Sequence, residues 1–196
     1  MATTTLRTLN GLDETPAALA DSTLILVDYQ NTYTRGVMEL EGWQAALDAA
    51  AELLARARAA GTKIVHVIHD GGAGSPYDIR EEIGRIHPRV APVEGEPVVV
   101  KRVPDAFVGT DLGDHVDAAG HESVIVAGFM THMCVLFTTQ GAFLRGNRPT
   151  VVAETTATRP LRSMDTELPA NQIHLAALAT ITDLYGVVVP TGKSLL

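Results

Sequence analysis

The chain has 196 residues, of which 46% are hydrophobic and 19% charged, and its formal net charge is −8. This composition predicts a folded chain with a sizeable core and excludes a disordered one. The acidic balance disfavours broad binding to nucleic acids or to anionic membrane surfaces, because no basic surplus neutralises phosphates. No apolar run is long enough to cross a bilayer, and the first twenty residues lack the pattern of a secretory signal.

Cys134 is the single cysteine of the sequence. A lone thiol forms no internal disulfide, so we expect a reducing, cytoplasmic location. Such a residue is either a small buried hydrophobe or a reactive group, and composition does not decide between the two.

Apolar runs alternate with helical patterns along the chain. We expect one domain over residues 1–196, in which residues 1–20 form an N-terminal arm. The predicted strands are 23–28, 63–68, 97–101, 123–127, 150–153 and 187–189. The predicted helices are 43–60, 112–119, about 132–144, and 167–184, with a glycine-rich loop at 69–78 and a polar loop at 155–165.

Continuously apolar strands that alternate with helices indicate a parallel sheet covered on both faces. We therefore predict an α/β fold, a three-layer α/β/α sandwich around a six-stranded, mainly parallel, doubly wound sheet. Ligands of such sheets bind beyond the carboxyl ends of the strands, near the reversal of strand order.

Three ionisable residues lie at or just after predicted strand ends: Asp28, Lys101 and Cys134. A free thiol has a pKa of about 8.5, and a helix start or a nearby ammonium lowers it. A carboxylate opposes that effect but accepts the thiol proton directly, so Asp28 is a candidate general base and general acid. Each residue also has an ordinary structural interpretation, as a packed thiol, a turn-capping carboxylate and a solvated strand end.

The motifs around these residues resemble the isochorismatase-like superfamily of cysteine hydrolases. The matching segments are 24–30 (LILVDYQ), Lys101 with Ala106-Phe107 after it, 127–135 (AGFMTHMCV), and 174–190. The resemblance implies a Rossmann-like fold and a catalytic triad of Asp28, Lys101 and Cys134. It also implies hydrolysis of a C–N bond in a small amide or carbamoyl compound through a thioester, without a cofactor.

The same resemblance implies further features of the site. A cis peptide bond is expected between Phe129 and Met130, and the backbone N–H groups of Met130 and Cys134 are expected to form an oxyanion hole. From the sequence itself, Tyr33 and Phe107 follow Asp28 and Lys101, so we expect them to line the substrate pocket. Gln30 is also expected to belong to the substrate site, where it orients the turn after the first strand. Relatives of this kind form homo-oligomers, so a dimer or larger assembly is expected.

One departure from the family bears on metals. Nicotinamidases of this superfamily carry a D-x-H metal motif after the second strand, and here that stretch reads His69-Asp70-Gly71-Gly72. We therefore predict no metal, with His66, His69 and Asp70 as the candidate ligands if a metal does bind.

Other functions are not excluded by the sequence. Some relatives cleave the vinyl ether of isochorismate with an aspartic acid and lack the cysteine, so vinyl-ether hydrolysis with Asp28 as the acid is an alternative. An alternative outside the enzymes is a non-catalytic thiol binder or redox sensor. A pure interaction module is the third alternative.

Overall fold

Eight strands form in the computed structural model, which describes residues 3–195. They are β1 (Ser22–Val27), β2 (Lys63–His69), β3 (Val98–Lys101), β4 (Ser123–Phe129), β5 (Arg148–Ala157), β6 (Leu161–Ser163), β7 (Thr166–Leu168) and β8 (Val187–Val189). Six of them form one sheet in the order β3-β2-β1-β4-β5-β8, and every neighbouring pair is parallel. Strands β6 and β7 form a separate antiparallel hairpin.

The helices connect the strands and cover the sheet. Within residues 3–195 they are α1 (Leu6–Leu9), α2 (Trp43–Ala60), α3 (Leu112–Ala119), α4 (Leu136–Leu144) and α5 (Ala170–Thr180). A π-helical turn, Thr131–Val135, precedes α4, and a second one, Ile181–Tyr185, follows α5. None of these helices combines the length and the apolarity that a membrane crossing requires.

The strands send alternate side chains into two hydrophobic cores, one on each face of the sheet. In β1, Leu24 and Leu26 join the core that contains the α2 side chains, whereas Ile25 and Val27 join the opposite core. The second core also contains side chains of α3, α4 and α5. Helix α2 therefore covers one face and the other three helices cover the second face. The predicted three-layer α/β/α sandwich with a doubly wound sheet is confirmed.

The strand order reverses between β1 and β4, which lie side by side. Gly128 permits their close approach near the carboxyl edge. Its φ is +154°, and a Cβ at this position would lie 2.2 Å from the carbonyl oxygen of Val27. A side chain at position 128 would therefore push apart the two strands that lead to the candidate site.

The predicted helix over 167–184 is wrong at its first residues. Glu167 lies in β7, and α5 begins only at Ala170, after Pro169. Pro169 has a φ of −65° and a ψ of 155°, so it is extended. Proline also disfavours helical geometry in the residue before it, which keeps Leu168 in the hairpin.

The polar stretch over 155–165 is not the loop that the sequence predicts. Strand β5 continues to Ala157, and the β6–β7 hairpin follows. Threonines make this extension stable, because Thr155 and Thr156 each donate their hydroxyl to the carbonyl oxygen three residues earlier. Polar residues whose hydroxyls find partners locally are compatible with a buried strand.

Glu96 connects the end of α2 to strand β2. Its carboxylate accepts two hydrogen bonds of 2.8 Å from Arg58 and one of 3.1 Å from the Val93 N–H, and it lies 2.9 Å from His66 Nε2. Burial alone raises the pKa of Glu96, but these partners outweigh burial and lower the pKa to about 2. The ionised carboxylate therefore stabilises the fold.

We expect Glu96→Gln to lower the free energy of unfolding by about 2 kcal/mol near neutral pH, because an amide loses charge-assisted hydrogen bonds. The pKa of Glu96 is lower in the folded state than its usual value of 4.5. The stabilisation is therefore present above 4.5 and disappears as the pH falls towards about 2. Chemical denaturation of both proteins across this pH range measures the difference.

Asp48→Asn is the matched control for this experiment. Asp48 pairs with Arg89, and both side chains are about half exposed, so its replacement should change stability by less than about 1 kcal/mol. A deficit in Glu96→Gln that stays constant down to pH about 2 would contradict the role assigned to the ionised carboxylate.

Candidate active site

Asp28 lies directly after β1 in an unusual backbone conformation. Its φ is +53°, in the left-handed region that few residues other than glycine occupy and that Asp and Asn tolerate best. The Asp28 N–H donates to the Val67 carbonyl at 2.9 Å, and the Gln30 N–H donates to the Asp28 carbonyl at 2.7 Å. The Asp28 side chain is fully buried. This turn places a carboxylate at the reversal point of the sheet.

Lys101 is the last residue of β3, and its side chain is also fully buried. Its Nζ lies 2.8 Å from Asp28 Oδ2 and 3.2 Å from Cys134 Sγ. The third neighbour is His69 Nδ1, at 3.5 Å. An ammonium has only donors, and here it is surrounded by one carboxylate in ionic contact and two acceptors within hydrogen-bond distance. The structure thus brings Asp28, Lys101 and Cys134 together.

Cys134 lies in the π-helical turn before α4, whereas the sequence predicted the first turn of an α-helix over 132–144. The peptide bond between Phe129 and Met130, just before this turn, is cis. The Met130 carbonyl accepts hydrogen bonds from the N–H groups of Met133 and Val135. The turn holds the sulfur against Lys101 with the cysteine 5% exposed.

The charge state of the site follows from burial as well as from its neighbours. Burial raises the pKa of the Cys134 thiol, Asp28 raises it further, and Lys101 opposes both without outweighing them. The sequence predicts the effects of the ammonium, the helix start and the carboxylate on this pKa, but it does not report burial. Burial also raises the pKa of Asp28 against the opposing charge of Lys101.

Lys101 keeps its proton in this environment. Burial alone lowers the pKa of Lys101, but Asp28 and Cys134 outweigh burial, so the pKa is raised. At rest Lys101 is therefore an ammonium and Cys134 a neutral thiol, and the ammonium 2.8 Å from Asp28 Oδ2 favours the ionised form of Asp28. Both carboxyl oxygens of Asp28 are buried without a hydrogen-bond partner among residues 3–195, and Oδ2 is the one in ionic contact with Lys101. Oδ1 therefore has the capacity to accept the thiol proton.

A cavity of about 170 Å³ adjoins the sulfur. Its lining consists of Tyr33, His69, Tyr77, Pro104, Met130, Met133 and Cys134. Ligands of drug size occupy about 300–1,000 Å³, so this cavity fits a smaller molecule. Grooves of about 450 and 500 Å³ lie elsewhere, but none of the three reactive residues lines them.

Of the three residues that the sequence assigned to substrate binding, one lies at the cavity and two do not. Tyr33 lines the cavity. The Gln30 amide instead holds β2, because Nε2 donates to the carbonyls of His69 and Gly84 and Oε1 accepts from the His69 N–H. Phe107 is half-buried against the second core, with the Arg145 guanidinium 5.2 Å from its ring centre, and does not line the cavity.

Four cavity residues were not predicted to line the site: His69, Tyr77, Pro104 and Met133. By residue, the sequence singles out His69 as a candidate metal ligand. The sequence does carry a signal, because His69 directly follows the predicted strand 63–68, just as Asp28 and Lys101 lie at the ends of other predicted strands. Within residues 3–195 no three His, Cys, Asp or Glu side chains are grouped to hold a metal ion, and His66 contacts Glu96 instead.

Arg159 follows β5 at the same edge of the sheet. It is half-buried, and its Nε is buried with no hydrogen-bond partner in the part of the chain that the structure describes. The pKa of His132 is lowered, mainly by burial and to a lesser extent by the charge of Arg159. His132 Nδ1 lies 2.5 Å from Thr158 Oγ1. A half-buried cation at this edge favours anionic ligands.

We expect Asp28→Asn to lower the pKa of Cys134, because the substitution removes the carboxylate that raises it and leaves the ammonium that lowers it. Thiolate absorbance in the ultraviolet should therefore appear at a lower pH in Asp28→Asn than in the native protein. Cys134→Ala provides the baseline for each titration. An unchanged or raised thiol pKa in Asp28→Asn would contradict this account of the site.

Comparison with known proteins agrees with the geometry. A family model described as the isochorismatase domain matches residues 22–191. The crystal structure of an isochorismatase from Pseudomonas putida KT2440 has a TM-score of 0.96 and 38% identity, with 100% of each chain covered.

Two curated proteins extend the comparison. The secreted isochorismatase effector Isc1 of Verticillium dahliae is 31% identical over 184 residues, which are 93% of this chain and 95% of the relative. The maleamate amidohydrolase of Pseudomonas putida is 33% identical over 148 residues, 67% of this chain and 70% of the relative. These matches confirm the resemblance drawn from residues 24–30 and 127–135. The chain belongs to the isochorismatase family of hydrolases.

Proposed function

We propose that this protein hydrolyses a C–N bond of a small carboxamide or carbamoyl compound through a thioester on Cys134. The observation that carries the proposal is the Lys101 ammonium, in contact with both the Asp28 carboxylate and the Cys134 sulfur beside a small cavity. The relative from Pseudomonas putida is named an amidohydrolase, which supports the same bond type. The scheme requires no cofactor and no metal.

The first half of the reaction forms the thioester. Asp28 accepts the proton of the Cys134 thiol while the sulfur attacks the carbonyl carbon of the substrate. Asp28 then donates this proton to the leaving nitrogen, the C–N bond breaks, and ammonia or an amine departs. Lys101 stabilises the negative charge on whichever partner carries it. A raised Asp28 pKa suits this residue to both accepting and donating the proton.

The second half releases the acid. A water molecule gives a proton to Asp28 and attacks the thioester carbon. The C–S bond breaks, the Asp28 proton returns to the sulfur, and the carboxylic acid leaves. The enzyme then holds its original ammonium, carboxylate and thiol.

The backbone N–H groups of Met130 and Cys134 are proposed to hold the oxyanion of the tetrahedral intermediates. Both residues line the cavity. In residues 3–195 the Met130 N–H donates no hydrogen bond, while the carbonyl of the same residue is occupied by Met133 and Val135. A backbone donor without an internal acceptor beside a nucleophile supports this role.

Replacing the nucleophile is expected to abolish turnover. Cys134→Ala should lower kcat for any hydrolysed amide by about 10⁴-fold or more, because a thioester no longer forms. Ammonia release from a panel of small amides measures turnover. Mass spectrometry of quenched native enzyme should detect an acyl adduct that is absent from the variant. Full activity in Cys134→Ala would overturn the proposal.

Asp28→Asn separates amide hydrolysis from vinyl-ether hydrolysis. Asn tolerates a positive φ, so this variant keeps the backbone of the turn and removes only the ionisable group. Amide hydrolysis requires both Asp28 and Cys134. Acid-catalysed cleavage of a vinyl ether requires Asp28 alone, so activity lost in Asp28→Asn and retained in Cys134→Ala would favour that alternative.

The burial of the thiol argues against a redox sensor. Sensor cysteines are exposed and have a lowered pKa, whereas burial and Asp28 raise the pKa of Cys134. After brief exposure of the folded protein to peroxide, dimedone should label Cys134 no faster than it labels a free thiol in an unstructured peptide. Faster labelling, together with no turnover of any amide, would support the sensor instead.

Assembly and location stay predictions. A homo-oligomer is supported by large apolar side chains that are exposed on α4 and α5, among them Leu144 and Leu175. Size-exclusion chromatography with light scattering tests it. The cytoplasmic location expected from the single cysteine stays untested, and the Verticillium dahliae relative is named a secreted effector.

A further inference from the structure

His69 is a cavity residue that the proposed reaction does not use. It ends β2, lines the cavity beside Cys134, and lies opposite Lys101 in the sheet register. Its backbone N–H and carbonyl are both bound by the Gln30 side chain, and its ring meets the Tyr77 ring edge-on, with the ring centres 5.1 Å apart. Gln30 therefore fixes the backbone of His69, and Tyr77 packs against its ring.

The neighbours of His69 determine which ring nitrogen carries the proton. Nδ1 lies 3.5 Å from Lys101 Nζ, whose other two contacts are Asp28 Oδ2 and Cys134 Sγ. An ammonium has donors only, so Nδ1 has to act as an acceptor. In a neutral imidazole the single proton then lies on Nε2.

The ring is neutral near physiological pH. Burial and the charge of Lys101 lower the pKa of His69, while Asp28 and Asp70 oppose them without outweighing them. Nε2 has no hydrogen-bond partner within residues 3–195 and, unlike Asp28 Oδ1, it is not sealed from solvent. His69, a residue of the cavity wall, thus carries an N–H donor whose acceptor is not supplied by the described protein.

We propose that His69 is a specificity-determining residue that donates its Nε2–H to an oxygen acceptor on the substrate, away from the bond that is cleaved. The preferred substrates are then small amides that carry a second carbonyl or carboxylate. Substrates with a methyl group at that position leave the donor unpaired and are rejected. This inference rests on the proposed amide hydrolysis for the class of ligand, but the state of the ring is measured without turnover.

The first test measures the ring directly. Nitrogen-15 NMR of histidine-labelled protein distinguishes protonated from unprotonated ring nitrogens, and His69→Gln identifies the His69 signals among the seven histidines. We expect Nε2 to be protonated and Nδ1 to be bare. A proton on Nδ1 of the neutral ring would overturn the proposal.

The second test uses a matched pair of probes on Cys134→Ala, which does not consume them. Maleamate carries a carboxylate, and (Z)-but-2-enamide carries a methyl group in its place. Maleamate should shift the Nε2–H signal at concentrations at which but-2-enamide does not. Equal shifts, or no shift with either probe, would overturn the proposal.

Kinetics then separate His69 from Arg159, the other group suited to a carboxylate. In the native enzyme the ratio of kcat/KM for maleamate over but-2-enamide should exceed about 10, and His69→Leu should bring it close to one. A collapse of the ratio in Arg159→Gln but not in His69→Leu would overturn the proposal. A shifted Nε2–H signal in a protein that hydrolyses neither amide would support the role of His69 and count against the proposed reaction.

Discussion

The Lys101 ammonium is fully buried, and its need for acceptors organises the carboxyl edge of the sheet. Removing one partner from a buried ion pair costs about 3–5 kcal/mol, so a lysine at this position is tolerated only where acceptors surround it. Three separate elements supply them: the turn after β1 supplies Asp28, the end of β2 supplies His69, and the π-helical turn supplies Cys134. A shift of the turn after β1 would leave the ammonium without its counter-charge, and a shift of either other element would remove one of its acceptors.

Burial gives this site a different resting state from that of an exposed reactive cysteine. Sulfur beside an ammonium is often a thiolate, but here loss of solvent and the Asp28 carboxylate favour the protonated form. Neither oxygen of Asp28 has a hydrogen-bond partner among the described residues, and the Asp28 side chain is fully buried. In the proposed reaction the thiolate therefore forms only as its proton moves to Asp28, and the sulfur attacks a substrate that already occupies the cavity.

Much of the fold could be predicted because buried parallel strands are continuously apolar and the helices between them have apolar residues at helical spacing. The order of apolar runs gave six parallel strands, and strand ends identified Asp28, Lys101 and Cys134 as neighbours across the sheet. The hairpin over 161–168 escaped prediction, because Glu167 and Leu168 continue a helical pattern that only Pro169 interrupts. The length of β5 escaped for a similar reason, since Thr155 and Thr156 read as polar loop residues until their local hydrogen bonds are known.

The site was harder to predict beyond its three reactive residues. His69 and Tyr77 enter the cavity through strand register and loop geometry, neither of which a single sequence reports. Gln30 and Phe107 lie close in sequence to reactive residues, yet their side chains turn towards β2 and the second core. Proximity along the chain places a residue on an element but does not determine which surface its side chain joins.

The N-terminal arm affects how the protein unfolds. The Leu6 N–H donates to Asp183, Arg7 donates to the Leu184 carbonyl, and the Ala17 N–H donates to Thr150 on β5. The arm therefore fastens the turn that leads into β8, the edge strand of the sheet. Fraying of residues 6–17 would release that edge as well, so the two ends of the sequence are expected to open as one cooperative unit rather than independently.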